Sequence, residues 1–245
     1  MNSMSLSARW SRCLLPVTNT LWRLALASDF QPAVDPSKWH LLHRGPHSRI
    51  YHVHGTTPCV VKLAMPRSKP RDNLRKYVAC QAKREFRGNR TLASIGLRTP
   101  TVYGWGVTPS PFAYYESALF MRPLPDFKSG LTVIRKENDA AKRRHFLDTL
   151  AEQLACLQGN GYIHKDAHFG NLCVPGDGSL VWIDNDIRRP ATISARRSGL
   201  AKSLRLLEKT ARDAVAPHEW QFFNHRLRTC LARWPKGEEL AHEVR

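Results

Sequence analysis

Four residues near the middle of the chain have the types and spacing for chemistry on a phosphoanhydride. His164, Asp166 and Asn171 lie in the stretch GYIHKDAHFGN that ends at Asn171, and Asp184 closes the apolar run Val181, Trp182, Ile183. The order His-x-Asp-x-x-x-x-Asn, followed by a hydrophobic strand ending in Asp, suits phosphoryl transfer from a nucleotide. Asp166 is expected to orient an acceptor hydroxyl and take its proton. Asn171 and Asp184 offer hard oxygen ligands, which suit Mg2+ held together with the phosphates of ATP. His164 is expected to hold the loop backbone and orient Asp166. His168 is open between a contact to substrate or phosphate and a surface position. Asp186 is open between an added carboxylate beside the metal and an ion pair with Arg188 or Arg189.

A nucleotide needs a cation upstream. Lys62 follows Val60 and Val61 on a predicted strand, where its ammonium would reach phosphate. Glu85 falls in the next predicted helix and would pair with Lys62. The plainer alternatives are a solvent-facing strand lysine and a helix-surface carboxylate among Lys83, Arg84 and Arg87. No Gly-x-Gly-x-x-Gly precedes Lys62. Gly45 alone lies in the first hairpin turn, with Arg44, His47 and Ser48 around it.

The elements that must position these groups follow from pattern. Residues 39–42, 48–54 and 59–64 read as strands separated by turns at Gly45-Pro46 and Gly55–Pro58. Residues 73–93 read as a helix, and 101–107 and 114–121 as strands. Pro123 and Pro125 mark a break where two lobes should join. Residues 131–136 are ambiguous. Residues 140–158 form a helix with Phe146, Leu147, Leu150, Leu154 and Leu157 near one face. A strong turn at Pro175–Gly178 returns the chain toward Asp184. Residues 193–214 and 219–234 read as helices packed through Leu200, Leu204, Leu206 and Leu207, and through Trp220, Phe222, Phe223, Leu227, Leu231 and Trp234.

Composition bounds the partners. The 245 residues carry a formal charge of +18, which calls for an anionic partner or surface. One basic loop holds Arg67, Lys69, Arg71, Arg75 and Lys76; a second set is Arg188, Arg189, Arg196, Arg197, Lys202 and Arg205. Both could attract glycan phosphate or lipid headgroups, or serve as general solubilising charge. No separate RNA-recognition motif is present, which disfavours nucleic acid. The six cysteines form no CxxC pair, so reduced thiols are expected. No run approaches the roughly 18 apolar residues of a membrane span. Residues 1–27 carry Trp10, Leu14, Leu21, Trp22, Leu24 and Leu26 beside Arg9, Arg12 and Arg23. They read as a helical or partly disordered extension packing on the body, or as a segment dipping into a membrane surface.

At Val61-Lys62, the Arg84-Glu85-Phe86 helix, Gly96–Pro100, the loop from His164 to Asn171 and Val181–Asp184, the chain resembles the bacterial lipopolysaccharide kinase family, the Kdo/WaaP group with its InaA-like members. The resemblance covers residues from Trp39 through the low 200s. It implies an α+β, protein-kinase-like two-lobed fold with a compact C-lobe. It implies ATP phosphate on Lys62, Glu85 positioning Lys62, Asp166 at the acceptor hydroxyl, and magnesium on Asn171 and Asp184. The implied acceptor is an anionic glycan or lipid-linked sugar of the lipopolysaccharide inner core. The implied location is cytoplasmic, with peripheral contact at the inner membrane. Asp184-Asn185-Asp186 departs from the Asp-Phe-Gly order of protein kinases, and no Ala-Pro-Glu signature follows. That favours a compact sugar or small-molecule kinase over one switched by a long activation segment.

The expected organisation is an N-terminal extension over 1–37 and a kinase-like domain over 38–245, with an N-lobe to about 121 and a C-lobe from about 126. Two other functions remain: a kinase for another small molecule or a protein, and a noncatalytic kinase-like scaffold on an anionic membrane or RNA.

Overall fold

The computed structural model describes residues 9–66, 76–110 and 112–244. The basic-loop residues Arg67, Lys69, Arg71 and Arg75, and the expected helix start at Asn73, lie outside them. The chain divides into two compact units: residues up to Arg87 together with Pro100–Pro123, and Gly88–Thr99 together with Leu124–Arg245.

The first unit is built on a seven-stranded antiparallel sheet in the order β1-β2-β6-β7-β5-β4-β3. Its strands are β1 (Arg9–Leu15), β2 (Thr20–Leu26), β3 (Trp39–Arg44), β4 (Ser48–Val53), β5 (Cys59–Ala64), β6 (Val102–Val107) and β7 (Ser117–Met121). Alternate residues of each strand serve opposite faces. Trp22, Leu24, Val61, Leu63, Ala118 and Phe120 share one apolar cluster. Ala25, Trp105, Val107 and Leu119 share another with Ala82, and Phe86 packs on it.

The first strands correct an expectation. Within the segment read as a helical or partly disordered extension packing on the body, residues 9–26 form the β1–β2 hairpin, which does pack on the body because β2 hydrogen-bonds to β6. Trp22 and Leu24 are fully buried, while Arg23 between them is exposed. Thr18, Asn19 and Thr20 make the turn, with Asn19 in the left-handed region at φ 46° that asparagine tolerates.

Residues 76–79 make one helical turn before a break at Cys80, and helix α1 runs over Gln81–Ser94. Its start is anchored from the sheet and the break. Glu116 Oε1 accepts from Gln81 N, Ser117 Oγ from Ala82 N, and Cys80 Sγ from Lys83 N. These satisfy amides that a helix start leaves without partners.

The second unit is mostly helical: α2 (Gly130–Lys136), α3 (Ala140–Gly159), α4 (Ile193–Ala211), α5 (Pro217–Leu231) and α6 (Gly237–Ala241). Its strands are β8 (Phe127–Ser129), β9 (Ile163–His164), β10 (Leu172–Pro175), β11 (Val181–Trp182) and β12 (Ile187–Arg188). They form a β11-β10-β8 sheet and a β12-β9 ribbon. Leu147, Leu150 and Leu154 of α3 join Phe169, Trp182, Leu200, Leu207, Phe223 and Leu227 in one core. Bidentate contacts from Arg143 to Glu219, at 2.8 and 2.7 Å, clamp α3 to α5. Residues 131–136, ambiguous from sequence, are helical because Ser129 Oγ caps Thr132 N. Strands β8 and β12 and helix α6 were not anticipated.

All six cysteines are unpaired. No described helix is long and apolar enough to cross a membrane.

Candidate active site

In the first unit, strand register decides where Lys62 points. It sits opposite Leu119 on β7, so it shares that residue's face, the face on which α1 packs. Lys62 Nζ lies 3.0 and 3.1 Å from the two oxygens of Glu85, and both residues are buried, at 6% and 3% exposure. Gln81, one helical turn before Glu85, donates its amide to Glu85 Oε1 at 2.8 Å. A buried ammonium needs a paired, hydrogen-bonded carboxylate, and this geometry supplies one.

The first hairpin turn is closed by Gly45 N donating to Ser48 O at 2.9 Å. Lys76, read from sequence as a basic-loop residue, is instead fully buried. Its ammonium donates to Thr108 Oγ1 and Ser110 O, and burial lowers its pKa.

In the second unit the loop after β9 alternates between core and solvent. Ala167 and Phe169 are fully buried, and Asp166 between His164 and Ala167 is exposed. Asn171 Nδ2 donates to the Asp166 carbonyl at 2.9 Å, which closes the loop on itself. Ile183 N donates to Asn171 O at 3.0 Å and ties the loop to the end of β11. His168 Nδ1 accepts from Gly170 N at 3.1 Å and caps the short 3-10 turn Phe169–Asn171.

His164 is held as a neutral ring. Asn185 Nδ2 donates twice, to Asn89 Oδ1 at 3.1 Å and Trp182 O at 2.9 Å. Its oxygen therefore faces His164 Nε2, 3.2 Å away, and must accept from it. Asp166 N donates to His164 Nδ1 at 3.2 Å. One ring nitrogen thus donates and the other accepts, which assigns the Nε2-protonated neutral tautomer from the network. Burial, the largest cause, lowers the His164 pKa against the opposing pull of Asn185 and nearby aspartates.

Asp184 is exposed and adopts φ 56°, a conformation that aspartate tolerates better than most side chains. Asp186 ion-pairs with Lys165, a partner the sequence did not suggest. Sequence reading also missed Asn89 and Gly88, and noted Asn185 only as a departure from the Asp-Phe-Gly order. A Cβ on Gly88 would stand 1.8 Å from the Asn185 carbonyl oxygen, so glycine alone permits that approach. The available signal was a glycine inside a helix, which costs about 1 kcal/mol against alanine and calls for a packing reason.

Among the described residues no three His, Cys, Asp or Glu side chains gather as a metal site. The donor set suits a different arrangement. With its amide nitrogen engaged by Asp166, Asn171 offers an oxygen, and Asp184 adds carboxylate oxygens; such pairs suit Mg2+ whose remaining ligands are phosphate and water.

No protein-family model matches the chain, and no curated protein sequence matches it. Among solved structures it is similar to one described as WaaP in complex with acyl carrier protein. The two share 17% identity over 83% of this chain and 81% of that chain, with a TM-score of 0.58. At that identity the likeness establishes the fold: a sheet lobe and a helical lobe in a protein-kinase-like, two-lobed architecture.

Proposed function

We propose that this chain is an ATP-dependent phosphotransferase acting on a sugar hydroxyl, with the lipopolysaccharide inner core as the acceptor class. The observation that carries the reading is the buried, bidentate Lys62–Glu85 pair. A purely stabilising role explains it poorly, because an apolar pair of the same volume often stabilises as well or better. Phosphate binding gives the buried charge a use.

Lys62 binds nucleotide phosphate, and Glu85 fixes the ammonium in direction and charge. Asp166 receives the acceptor hydroxyl's proton as that oxygen bonds to the terminal phosphorus and the bond to the ADP oxygen breaks. Neutral His164 holds the Asp166 amide and does not exchange protons during the reaction. Asn171 and Asp184 would hold Mg2+, which supplies neutralisation of phosphate charge when bound. The high positive charge suits an anionic glycan or lipid-linked sugar, and peripheral contact with the cytoplasmic face of the inner membrane.

The test is acceptor-dependent ADP formation from MgATP, using purified inner-core glycans. Turnover that rises with glycan and is abolished in Asp184→Asn is the expected result. ATP binding without turnover on any glycan would move the reading to a different acceptor or to a noncatalytic scaffold.

A further inference from the structure

The second basic cluster of the sequence is divided by the fold. Arg196 donates to the Gln158 carbonyl, and Arg197 pairs with Glu243 at 2.7 Å. Arg188, Arg189, Lys202 and Arg205 together line one concavity of about 500 Å3 beside Ile163 and Gly199, with Arg205 Nε also donating to the Ala201 carbonyl at 3.3 Å. No Asp or Glu lines it. None of the four has a carboxylate within ion-pair distance among the described residues. Elsewhere in the same unit Arg98, Arg143, Lys165, Arg197 and Arg226 have such partners, while other cations, Lys209 and Arg212 among them, have none among the described residues but do not gather with the four. A solvated basic face explains single exposed cations, but convergence of four on one hollow without a counter-charge leaves the hollow strongly anion-seeking.

The hollow is built by regular elements. Ser198, Lys202 and Arg205 recur at helical spacing on one stripe of α4, and Arg188 stands opposite Ile163 on the β12–β9 ribbon. Arg189 lies with its guanidinium 5.7 Å from the Tyr162 ring centre. A Cβ at Gly199 would come within 2.8 Å of the Ile163 side chain, so glycine lets α4 close onto β9. Ser203 Oγ, on α4, donates to the His164 carbonyl at 3.4 Å. The wall of the hollow therefore belongs to the same backbone segment as the loop. Ile163 and Asp166 are three residues apart, so their Cα atoms are separated by no more than about 11 Å. That is the length scale of one or two sugar rings.

We propose that this hollow is a specificity subsite for a phosphate group carried by the acceptor sugar, bound by Arg188, Arg189, Lys202 and Arg205. The inference rests on the phosphotransferase reading for its purpose but not for its test. The acceptor would already bear a phosphomonoester when it arrives, so an earlier phosphorylation must supply it.

Binding of glucose 6-phosphate, glucose and inorganic phosphate, followed by calorimetry, tests the site without turnover. The chains compared are native, Arg188→Gln/Lys202→Gln and Lys62→Met. Native and Lys62→Met chains should bind glucose 6-phosphate and inorganic phosphate but not glucose. The double variant should bind at least about tenfold more weakly, the loss expected when charge-assisted contacts are removed. Unchanged affinity in a folded double variant overturns the proposal, as does absence of binding by the native chain. Loss in Lys62→Met with retention in the double variant would place the anion at the nucleotide phosphates and also overturn it. Phosphatidylcholine vesicles with and without phosphatidylglycerol separate the remaining source. If the double variant loses only vesicle binding, the hollow takes a lipid headgroup and the sugar proposal fails.

Discussion

Two buried polar constellations sit behind the candidate chemistry, and they are made differently. In the first unit the pair is ionic, with Lys62 and Glu85 bidentate and Gln81 supporting the carboxylate. In the second unit the network is neutral, with His164, Asn185, Asn89 and the Trp182 carbonyl sharing four hydrogen-bonding groups without a charge. Burying charge is costly and serves best where a charged ligand will use it. Burying matched neutral groups costs little and fixes a backbone. The difference fits the proposed reading, in which the first constellation holds a ligand and the second holds the Asp166 loop.

The comparison breaks most visibly at Glu85. Glu85→Gln should cost about 3 to 5 kcal/mol in denaturant unfolding, because it removes the buried negative charge that faces the Lys62 ammonium through two contacts. A double replacement, Lys62→Met with Glu85→Leu, should recover much of that stability while phosphoryl transfer stays lost. Recovery of both would mean that the pair has no part in the reaction.

Asn185→Ala should cost about 2 kcal/mol, since it removes the acceptor for His164 Nε2 and the amide donor to Asn89 Oδ1 and the Trp182 carbonyl. Its activity should fall further than its stability accounts for, which kinetics on the remaining folded protein will show. Gly199→Ala sets two effects against each other. Overpacking against Ile163 costs about 1 to 3 kcal/mol, and the gain in helix propensity returns about 1 kcal/mol. A net loss of about 1 kcal/mol should appear as a lower Tm, with weaker glucose 6-phosphate binding beside it.

The smallest effect is on pH dependence. His164 has a folded pKa below its ordinary 6.5, so the unfolded chain binds more protons in the window beneath that value. Its contribution to stability is therefore complete above pH 6.5 and is lost as pH falls from 6.5 through the lowered folded pKa. His164→Gln should flatten that part of the stability profile. An equally steep profile in the variant would assign the proton uptake to another group.

How much of this was legible varied with the kind of signal. Lys62, His164, Asp166, Asn171 and Asp184 stood out as candidates because their spacing lies within short strands and one loop. Helix α3 was found because Phe146, Leu147, Leu150 and Leu154 repeat at helical period, and all are buried. The β1–β2 hairpin was misread because Leu21–Leu26 is largely apolar. Its period-two sign, exposed Arg23 between buried Trp22 and Leu24, is brief. Thr18–Thr20 looked like an interruption and is a turn. Lys76 looked like a solvent cation, because sequence does not show the oxygens of Thr108 and Ser110 that receive it. Asn89 and Asn185 meet across 96 positions of chain, a distance over which local pattern carries no information. The four cations of the hollow were visible as residues, but only the fold separates them from Arg196 and Arg197.

The most direct test of phosphoryl transfer is the yield of labelled phosphate moved from ATP to inner-core glycan by the native chain and by Asp166→Asn, measured where both bind MgATP equally. A labelled glycan with the native chain, and at least about a hundredfold less with the variant, is the expected result for a residue that takes the hydroxyl proton. Equal labelling by the two chains would contradict the role of Asp166, and no labelling by a folded, nucleotide-bound native chain would contradict glycan phosphorylation itself.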